Sequence, residues 1–240
     1  MPGESSRKDS PQVETRKRPV ALLFELEHSA IAGRSISFEV CKKLFAEREI
    51  ELTPPLFVRH CRWPARETCM TEFLDVVGKK RLSGAKLAVE VGEALKDAFT
   101  DKHLKMAGGF AKLVEKARKE NAVLGALTAL DPEVATGMIK KLGMDEMNLK
   151  LHYASPDTPS FPTADAWLKL AKAVGVPPAG CTVLTTSAGS CKAALSGGMK
   201  PVAFPDEFTS CQDFGGADLL IEKLSDEIVD SIIALMVHSR

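Results

Sequence analysis

The sequence predicts an α/β fold, with a doubly wound parallel sheet and a helical subdomain inserted after the first strand. Three observations support this class. Short apolar runs without polar alternation recur along the chain, which is typical of strands buried on both faces of a parallel sheet. From residue 109 onward these runs alternate with helical patterns, as in doubly wound proteins. Between residues 34 and 104 the strand pattern is missing, and charged helical stretches take its place.

The predicted strands are the apolar runs. The first is residues 19–26, PVALLFEL. Similar runs predict strands at 122–128, 181–185, 200–204 and 217–221, and a weaker run predicts one at 148–153.

The predicted helices are marked by their ends and by their apolar faces. In DPEVATGMIKKLG, Asp131 occupies the N-cap position, Pro132 the first helical position, and Gly143 follows the end. The stretch TADAWLKLAKAVG follows the same pattern, and the interval 34–104 contains helical stretches such as GAKLAVEVGEALKDAF. We therefore divide the chain into a tail predicted to be disordered (1–18), an α/β core (19–33 and 105–240) and a helical cap (34–104).

Composition excludes several classes of protein. The 240 residues include 32 Lys and Arg and 32 Asp and Glu, so the chain lacks the basic excess expected of a nucleic-acid or membrane-surface protein. No apolar stretch has the roughly 18 residues that a membrane span needs, and residues 1–18 lack the apolar segment of a secretory signal. We expect a cytoplasmic protein, with import into an organelle left open.

The cysteines do not indicate a metal site. The six cysteines form no CxxC pair and no spacing typical of zinc. His60 and Cys61, followed by Cys69, are a poor metal motif. We expect reduced and mostly buried thiols.

Polar residues end several predicted strands, where ligands bind in doubly wound sheets. Glu25 and Glu27 end the first strand, Thr128 the second, and Thr185 and Thr186 a later one. For the threonines alone, we favour the simpler explanation that a strand end is polar because it meets water. For two acids flanking one apolar residue, that explanation and a functional site are equally supported.

The most specific pattern of the chain lies in its second half, in FPTADAWLKLAKAVGVPPAGCTVLTTSAGSCKAALSGGMKPVAF. On this pattern the chain resembles the haloacid dehalogenase (HAD) superfamily, in the branch of β-phosphoglucomutase-like phosphatases with a helical cap, and the resemblance covers roughly residues 19–228. It implies a Rossmann-like, HAD-like α/β core with an inserted α-helical cap. The residues that keep the family's frame are Pro162, Asp165, Gly175, Val176, Ser187, Ala193, Ala194, Gly198 and Met199.

The positions that carry the family's chemistry have changed. The resemblance places Glu25 at the aspartate nucleophile and Glu27 at the aspartate that acts as general acid and base. Phe161 stands in place of the family's lysine, and Thr185 and Thr186 stand where acids would hold Mg²⁺. The added methylene of Glu25 displaces the nucleophile by roughly 1 Å, which can cost about 100-fold in rate. The lost lysine removes a cation beside the transferring phosphoryl group.

The phosphate loop is altered as well. Thr128 keeps the hydroxyl that the family directs at phosphate, followed by Ala129, and His28 replaces a glycine. One interpretation makes His28, Glu25 and Glu27 a new metal or acid–base site. We favour the other, in which His28 is tolerated because the loop no longer accommodates a ligand.

We therefore expect a catalytically inactive, pseudo-phosphatase member of this fold, which binds an unknown protein or small molecule in the crevice between cap and core. Glu25 and Glu27 are then degenerate catalytic residues, and no cofactor or metal is expected. The alternative is an active HAD-like phosphatase or phosphomutase that uses Glu25, Mg²⁺ and a cation from the cap. The candidate ligand-binding residues are His28, Thr128, Ala129, Phe161, Thr185 and Thr186, and the candidate cap cations are Lys79, Lys80 and Arg81.

Overall fold

A six-stranded, fully parallel sheet forms the centre of the protein. The computed structural model describes residues 18–61, 65–154 and 161–238, so most of the tail predicted to be disordered lies outside it. The strand order is β3-β2-β1-β4-β5-β6, and every neighbouring pair is parallel. The predicted fold class is confirmed. The strands are β1 (Ala21–Glu25), β2 (Val123–Thr128), β3 (Lys150–Tyr153), β4 (Cys181–Thr185), β5 (Lys200–Ala203) and β6 (Leu219–Leu220).

The register brings the polar strand ends to one edge of the sheet. All five residues of β1 are buried, because β1 lies between β2 and β4. Glu25 pairs with Leu127 of β2, and Phe24 pairs with Leu184 of β4. Thr128 and Thr185 therefore end their strands beside Glu25.

Four α-helices lie between residues 33 and 104 in the part of the chain that the structure describes. In the described residues 33–61 and 65–104 no strand occurs. Phe45 and Phe73 stack inside this helical insertion, with their ring centroids 4.8 Å apart. The division into cap and core at residues 34 and 104 stays a prediction. The helices of the insertion are α1 (Gly33–Ala46), α2 (Pro54–His60), α3 (Glu67–Val76) and α4 (Gly84–Phe99).

Helices cover both faces of the sheet. On one face Phe110 packs edge-on against Phe24 of β1, at a centroid distance of 5.0 Å. On the other face Trp167 and Leu170 belong to the buried cluster that contains Leu23. The helices after the insertion are α5 (Phe110–Lys119), α6 (Pro132–Lys141), α7 (Ala164–Val174), α8 (Ala188–Ser196) and α9 (Asp226–Val237).

The predicted helix ends are partly confirmed. Helix α6 begins at Pro132, but the Asp131 side chain accepts no capping hydrogen bond. Thr163 does cap α7, since its side chain accepts from the N–H of Ala166, and Gly175 ends that helix in the left-handed conformation.

The structure also bears on two expectations, the absence of a membrane span and the state of the cysteines. Within the described residues, no helix is both long and apolar enough to cross a membrane. None of the six cysteines, all of which lie in the described residues, forms a disulfide bond. The buried ones are Cys41, Cys61, Cys181 and Cys191.

Candidate functional site

A tight turn at the end of β1 builds the floor of the candidate site. After Glu25 the chain makes one turn of π-helix (Leu26–Ala30), and α1 begins at Gly33. A Cβ atom at Gly33 would lie only 1.9 Å from the carbonyl oxygen of Glu27, so glycine alone permits this approach. The turn folds Arg34, in the first turn of α1, back to within salt-bridge distance of Glu25.

Glu25 is a buried carboxylate with three donors around it. Its side chain is 4% exposed. The Thr186 hydroxyl donates to Oε2 at 2.7 Å, and the Thr186 N–H donates to Oε1 at 3.4 Å. The Arg34 guanidinium lies 3.8 Å from Oε2. These contacts satisfy a charge that burial would otherwise make costly.

Arg34 links Glu25 to a second carboxylate. Its Nη1 donates to Asp206 Oδ2 at 2.6 Å and to the Thr186 hydroxyl at 2.9 Å. Asp206 lies beyond β5, and its other oxygen accepts from the Phe208 N–H and the Thr209 hydroxyl, both at 3.0 Å. A fixed cation therefore lies between two carboxylates.

Sequence analysis missed Arg34 and Asp206. One signal pointed to Arg34, because a cation in the first turn of a helix opposes the helix dipole and needs another partner. Nothing in the sequence pointed to Asp206, which lies 172 residues away along the chain.

The Glu27 side chain points toward β2, whereas that of Glu25 points toward Thr186 at the end of β4. It is 6% exposed, and its Oε1 accepts the N–H of Ala129 at 2.8 Å. The Thr128 hydroxyl lies against the same carboxylate and accepts the N–H of Leu130 at 3.1 Å. Oε2 has no partner in the described part of the chain. Burial raises the pKa of Glu27 above its usual value, against the lowering effect of the Ala129 N–H.

This raised pKa gives a prediction for Glu27→Gln. Glutamine has the shape of the protonated acid, and its oxygen can still accept the Ala129 N–H. A raised folded-state pKa contributes stability to the wild type that is fully present below the unfolded value of 4.5 and is lost as pH rises through the folded value. We expect the variant to gain in stability relative to the wild type as pH rises from 4.5 to 8. Urea unfolding across this range tests it, and a constant difference would contradict it.

His28 is a neutral side chain in this turn. Burial lowers the pKa of His28 well below its usual value, and the nearby Arg34 charge lowers it further. Its Nδ1 atom is buried and has no partner within the described ranges. The residues that the structure describes contain no group of three His, Cys, Asp or Glu arranged to hold a metal ion.

The other candidate residues divide into three groups, according to what their side chains or backbone contact. Phe161 is buried, lines the crevice and precedes a cis peptide bond to Pro162. The second group contacts the two carboxylates: Thr186 donates to Glu25, and Thr128 and Ala129 lie against Glu27. Thr185 is not among the residues that line the crevice, and its hydroxyl lies against the thiol of Cys191.

The cap cations of the sequence analysis do not reach this site. Lys79, Lys80 and Arg81 line a separate surface cleft together with Arg48. Lys79 is paired there with Glu49 at 3.5 Å.

A crevice of about 780 Å³ lies above this floor, between the helical insertion and the core. This volume falls in the range of small-molecule sites, roughly 300 to 1,000 Å³. Its walls are apolar at Phe57 and Val58 of α2 and at Phe161 and Phe208 of the core. Besides the polar floor, the crevice is lined by the N-terminus of α8, with Lys192 and Gln212 nearby, and sequence analysis did not identify Gln212.

An aromatic cluster holds the insertion on the core. The Phe208 ring lies 5.3 Å from Phe38 of α1 and 5.3 Å from Phe57 of α2. The Ser35 hydroxyl also donates to Glu207 at 2.9 Å. The loop after β5 therefore makes apolar contacts with the insertion through Phe208, a hydrogen bond through Glu207 and an ion pair through Asp206.

Comparison with known proteins gives one distant match in sequence and a number of similar solved structures. No protein-family model matches the chain. Protein CbbY of Rhodobacter capsulatus is 32% identical over 71 residues, which span 30% of this chain and 31% of CbbY.

Three solved structures share the fold over most of the chain. CbbY from Rhodobacter sphaeroides in complex with phosphate has a TM-score of 0.71 at 16% identity, covering 87% of this chain and 96% of that chain. A putative β-phosphoglucomutase from Thermotoga maritima has a TM-score of 0.69 at 18% identity, covering 90% and 99%. A predicted phosphoglycolate phosphatase from Haemophilus somnus has a TM-score of 0.72 at 11% identity, covering 89% and 98%.

Proposed function

We propose that this protein, which has the fold of the HAD superfamily as its sequence predicted, does not transfer phosphoryl groups and instead binds a small molecule in its crevice. One observation carries the proposal. Side chains of the protein itself supply the cation and the anion at the floor of the site: Arg34 lies between Glu25 and Asp206, and Glu27 takes the N–H of Ala129.

The residues around Glu25 do not fit Mg²⁺. The resemblance assigns Thr186 to a metal-binding position, but its hydroxyl is bonded to both Glu25 and Arg34. A hydroxyl is also a weaker ligand than a carboxylate for a hard cation. A metal ion at Glu25 and Asp206 would have to displace a guanidinium held by both carboxylates.

The residues around Glu27 do not fit a phosphate dianion. The Thr128 hydroxyl and the Ala129 N–H, which would face phosphate, are directed at the Glu27 carboxylate. A phosphate would meet this carboxylate rather than free donors. Phe161 adds an apolar surface where the family has a cation.

Glu25 is poorly placed as a nucleophile. Its Oε2 accepts from Thr186 and faces Arg34, and its Oε1 faces the Thr186 N–H. A carboxylate held by these donors must break at least one contact before it can attack phosphorus.

The second candidate function is an active phosphatase or phosphomutase. The fold shared with such enzymes favours it, as does Arg34, a fixed cation 3.8 Å from the Glu25 carboxylate. Under this alternative Arg34 would supply the positive charge that the sequence analysis sought at residues 79–81.

Hydrolysis of p-nitrophenyl phosphate in the presence of Mg²⁺ separates the two functions. We expect the wild type to match Glu25→Ala at background. The single reversions Glu25→Asp, Thr186→Asp and Phe161→Lys should also stay near background, because groups that act in one transition state are not additive. Wild-type turnover that disappears in Glu25→Ala would establish the second function.

A further inference from the structure

The N-terminus of α8 opens into the crevice with a free hydrogen-bond donor. The N–H of Ala188 donates to Gln212 at 2.8 Å, and the N–H of Ser190 donates to the Ser187 side chain at 3.3 Å. Between them, the N–H of Gly189 has no acceptor in the part of the chain that the structure describes. The first N–H groups of a helix carry partial positive charge and readily bind anions.

A second donor lies on the same helix turn. Ser190 lines the crevice and is only 1% exposed, yet its hydroxyl has no partner among the described residues. Buried polar groups in folded proteins are nearly always hydrogen-bonded, so this hydroxyl points to a ligand.

There is room for a ligand beside Gly189. A Cβ atom built on Gly189 would meet no heavy atom within 4 Å. A ligand atom can therefore approach the backbone of this turn closely, which a side chain would prevent.

The charges of the crevice favour a monoanion. Arg34 is ion-paired with Glu25 and Asp206, so it is not available to pair with the second negative charge of a dianionic ligand. Glu25 and Glu27 line the same crevice and would repel a phosphate dianion more strongly than a carboxylate. Lys192, also on α8, lines the crevice and is paired with Asp213 at 3.5 Å.

We propose that the N-terminus of α8 binds the carboxylate of a small monocarboxylic acid, whose apolar body lies against Phe57, Phe161 and Phe208. This inference rests on the proposed function, since it assigns a ligand class to the same crevice. The Gly189 N–H and the Ser190 hydroxyl donate to the carboxylate.

Two variants test these donors without disturbing the fold. Gly189→Ala keeps the N–H but places a methyl group in the open space beside it, where the methyl would obstruct a ligand, and alanine is the better helix residue. Ser190→Ala removes a hydroxyl that has no protein partner in the described residues. Gly92→Ala is the matched control, a helical glycine in α4 whose added Cβ would lie 3.5 Å from Ala65.

The experiment titrates the 240-residue chain with benzoate, benzamide and phenyl phosphate, and binding is measured from changes in the amide NMR chemical shifts. We expect benzoate to bind the wild type and Gly92→Ala about tenfold more tightly than benzamide does, and to shift the Gly189 resonance. Gly189→Ala and Ser190→Ala should each lose that preference for the carboxylate.

Three results would overturn the inference. They are equal affinities of benzoate and benzamide, tighter binding of phenyl phosphate, and absence of benzoate binding. If benzoate and benzamide bound with equal affinity, the crevice would still be a small-molecule site, but not one that prefers a carboxylate. The phosphatase assay decides the proposed function independently.

Discussion

Replacing Arg34 with alanine is expected to lower the free energy of unfolding by about 3 kcal/mol, as for other buried ion pairs that lose one partner. The side chain of Arg34 is 17% exposed, and that of Glu25 only 4%. Without the guanidinium, Glu25 and Asp206 would face each other with no cation between them. Urea unfolding at neutral pH measures the loss.

Arg48→Ala is the matched control for this prediction. Arg48 also pairs with a glutamate, Glu90, but that partner is 47% exposed. Exposed pairs contribute only about 0 to 1 kcal/mol. If Arg34→Ala were no more destabilising than Arg48→Ala, the bridging role of Arg34 would be wrong.

Phe208→Ala is expected to cost about 3 to 4 kcal/mol, the usual loss for a buried phenylalanine. Phe208 is 6% exposed and contacts the rings of both Phe38 and Phe57. Because it joins the helical insertion to the core, its loss should also raise hydrogen exchange in α2. Chemical unfolding and hydrogen exchange by mass spectrometry measure the two effects.

Leu220→Ala provides the comparison for Phe208→Ala. Leu220 is 63% exposed on the edge strand, and exposed substitutions change stability by only about 0.5 kcal/mol. A loss in Phe208→Ala as small as this, with unchanged exchange in α2, would contradict the role of the aromatic cluster.

The strands could be predicted because burial on both faces leaves a visible apolar run. The lengths of the strands were predicted less accurately than their positions. The run at 217–221 forms only the two-residue edge strand β6, which pairs with β5. The run at 148–153, although weak in sequence, forms β3 at the opposite edge.

The arrangement of the two acids could not be predicted from their spacing. Residues two apart on a strand face the same side, which would direct Glu25 and Glu27 together. Instead the strand ends at Glu25. The π-helical turn that follows directs Glu27 toward Ala129, the residue after β2. That turn depends on the close approach of Gly33, a tertiary contact with no sequence pattern.

The pairing of Glu25 with the Arg34 guanidinium could not be predicted from the sequence either. A resemblance can show that a metal-binding acid has become Thr186. It cannot show that a guanidinium from α1 and a carboxylate from beyond β5 meet at this point.

The most direct test is the effect of Mg²⁺ on thermal unfolding of the wild type and of Arg34→Ala. Bound Mg²⁺ would stabilise the fold by about 2.7 kcal/mol at a hundredfold excess over its dissociation constant. If Arg34 supplies the cation, millimolar Mg²⁺ should leave the wild-type melting temperature unchanged. It should raise that of Arg34→Ala, where Glu25 and Asp206 lack their partner. A clear rise in the wild type that is abolished by Glu25→Ala would contradict the account.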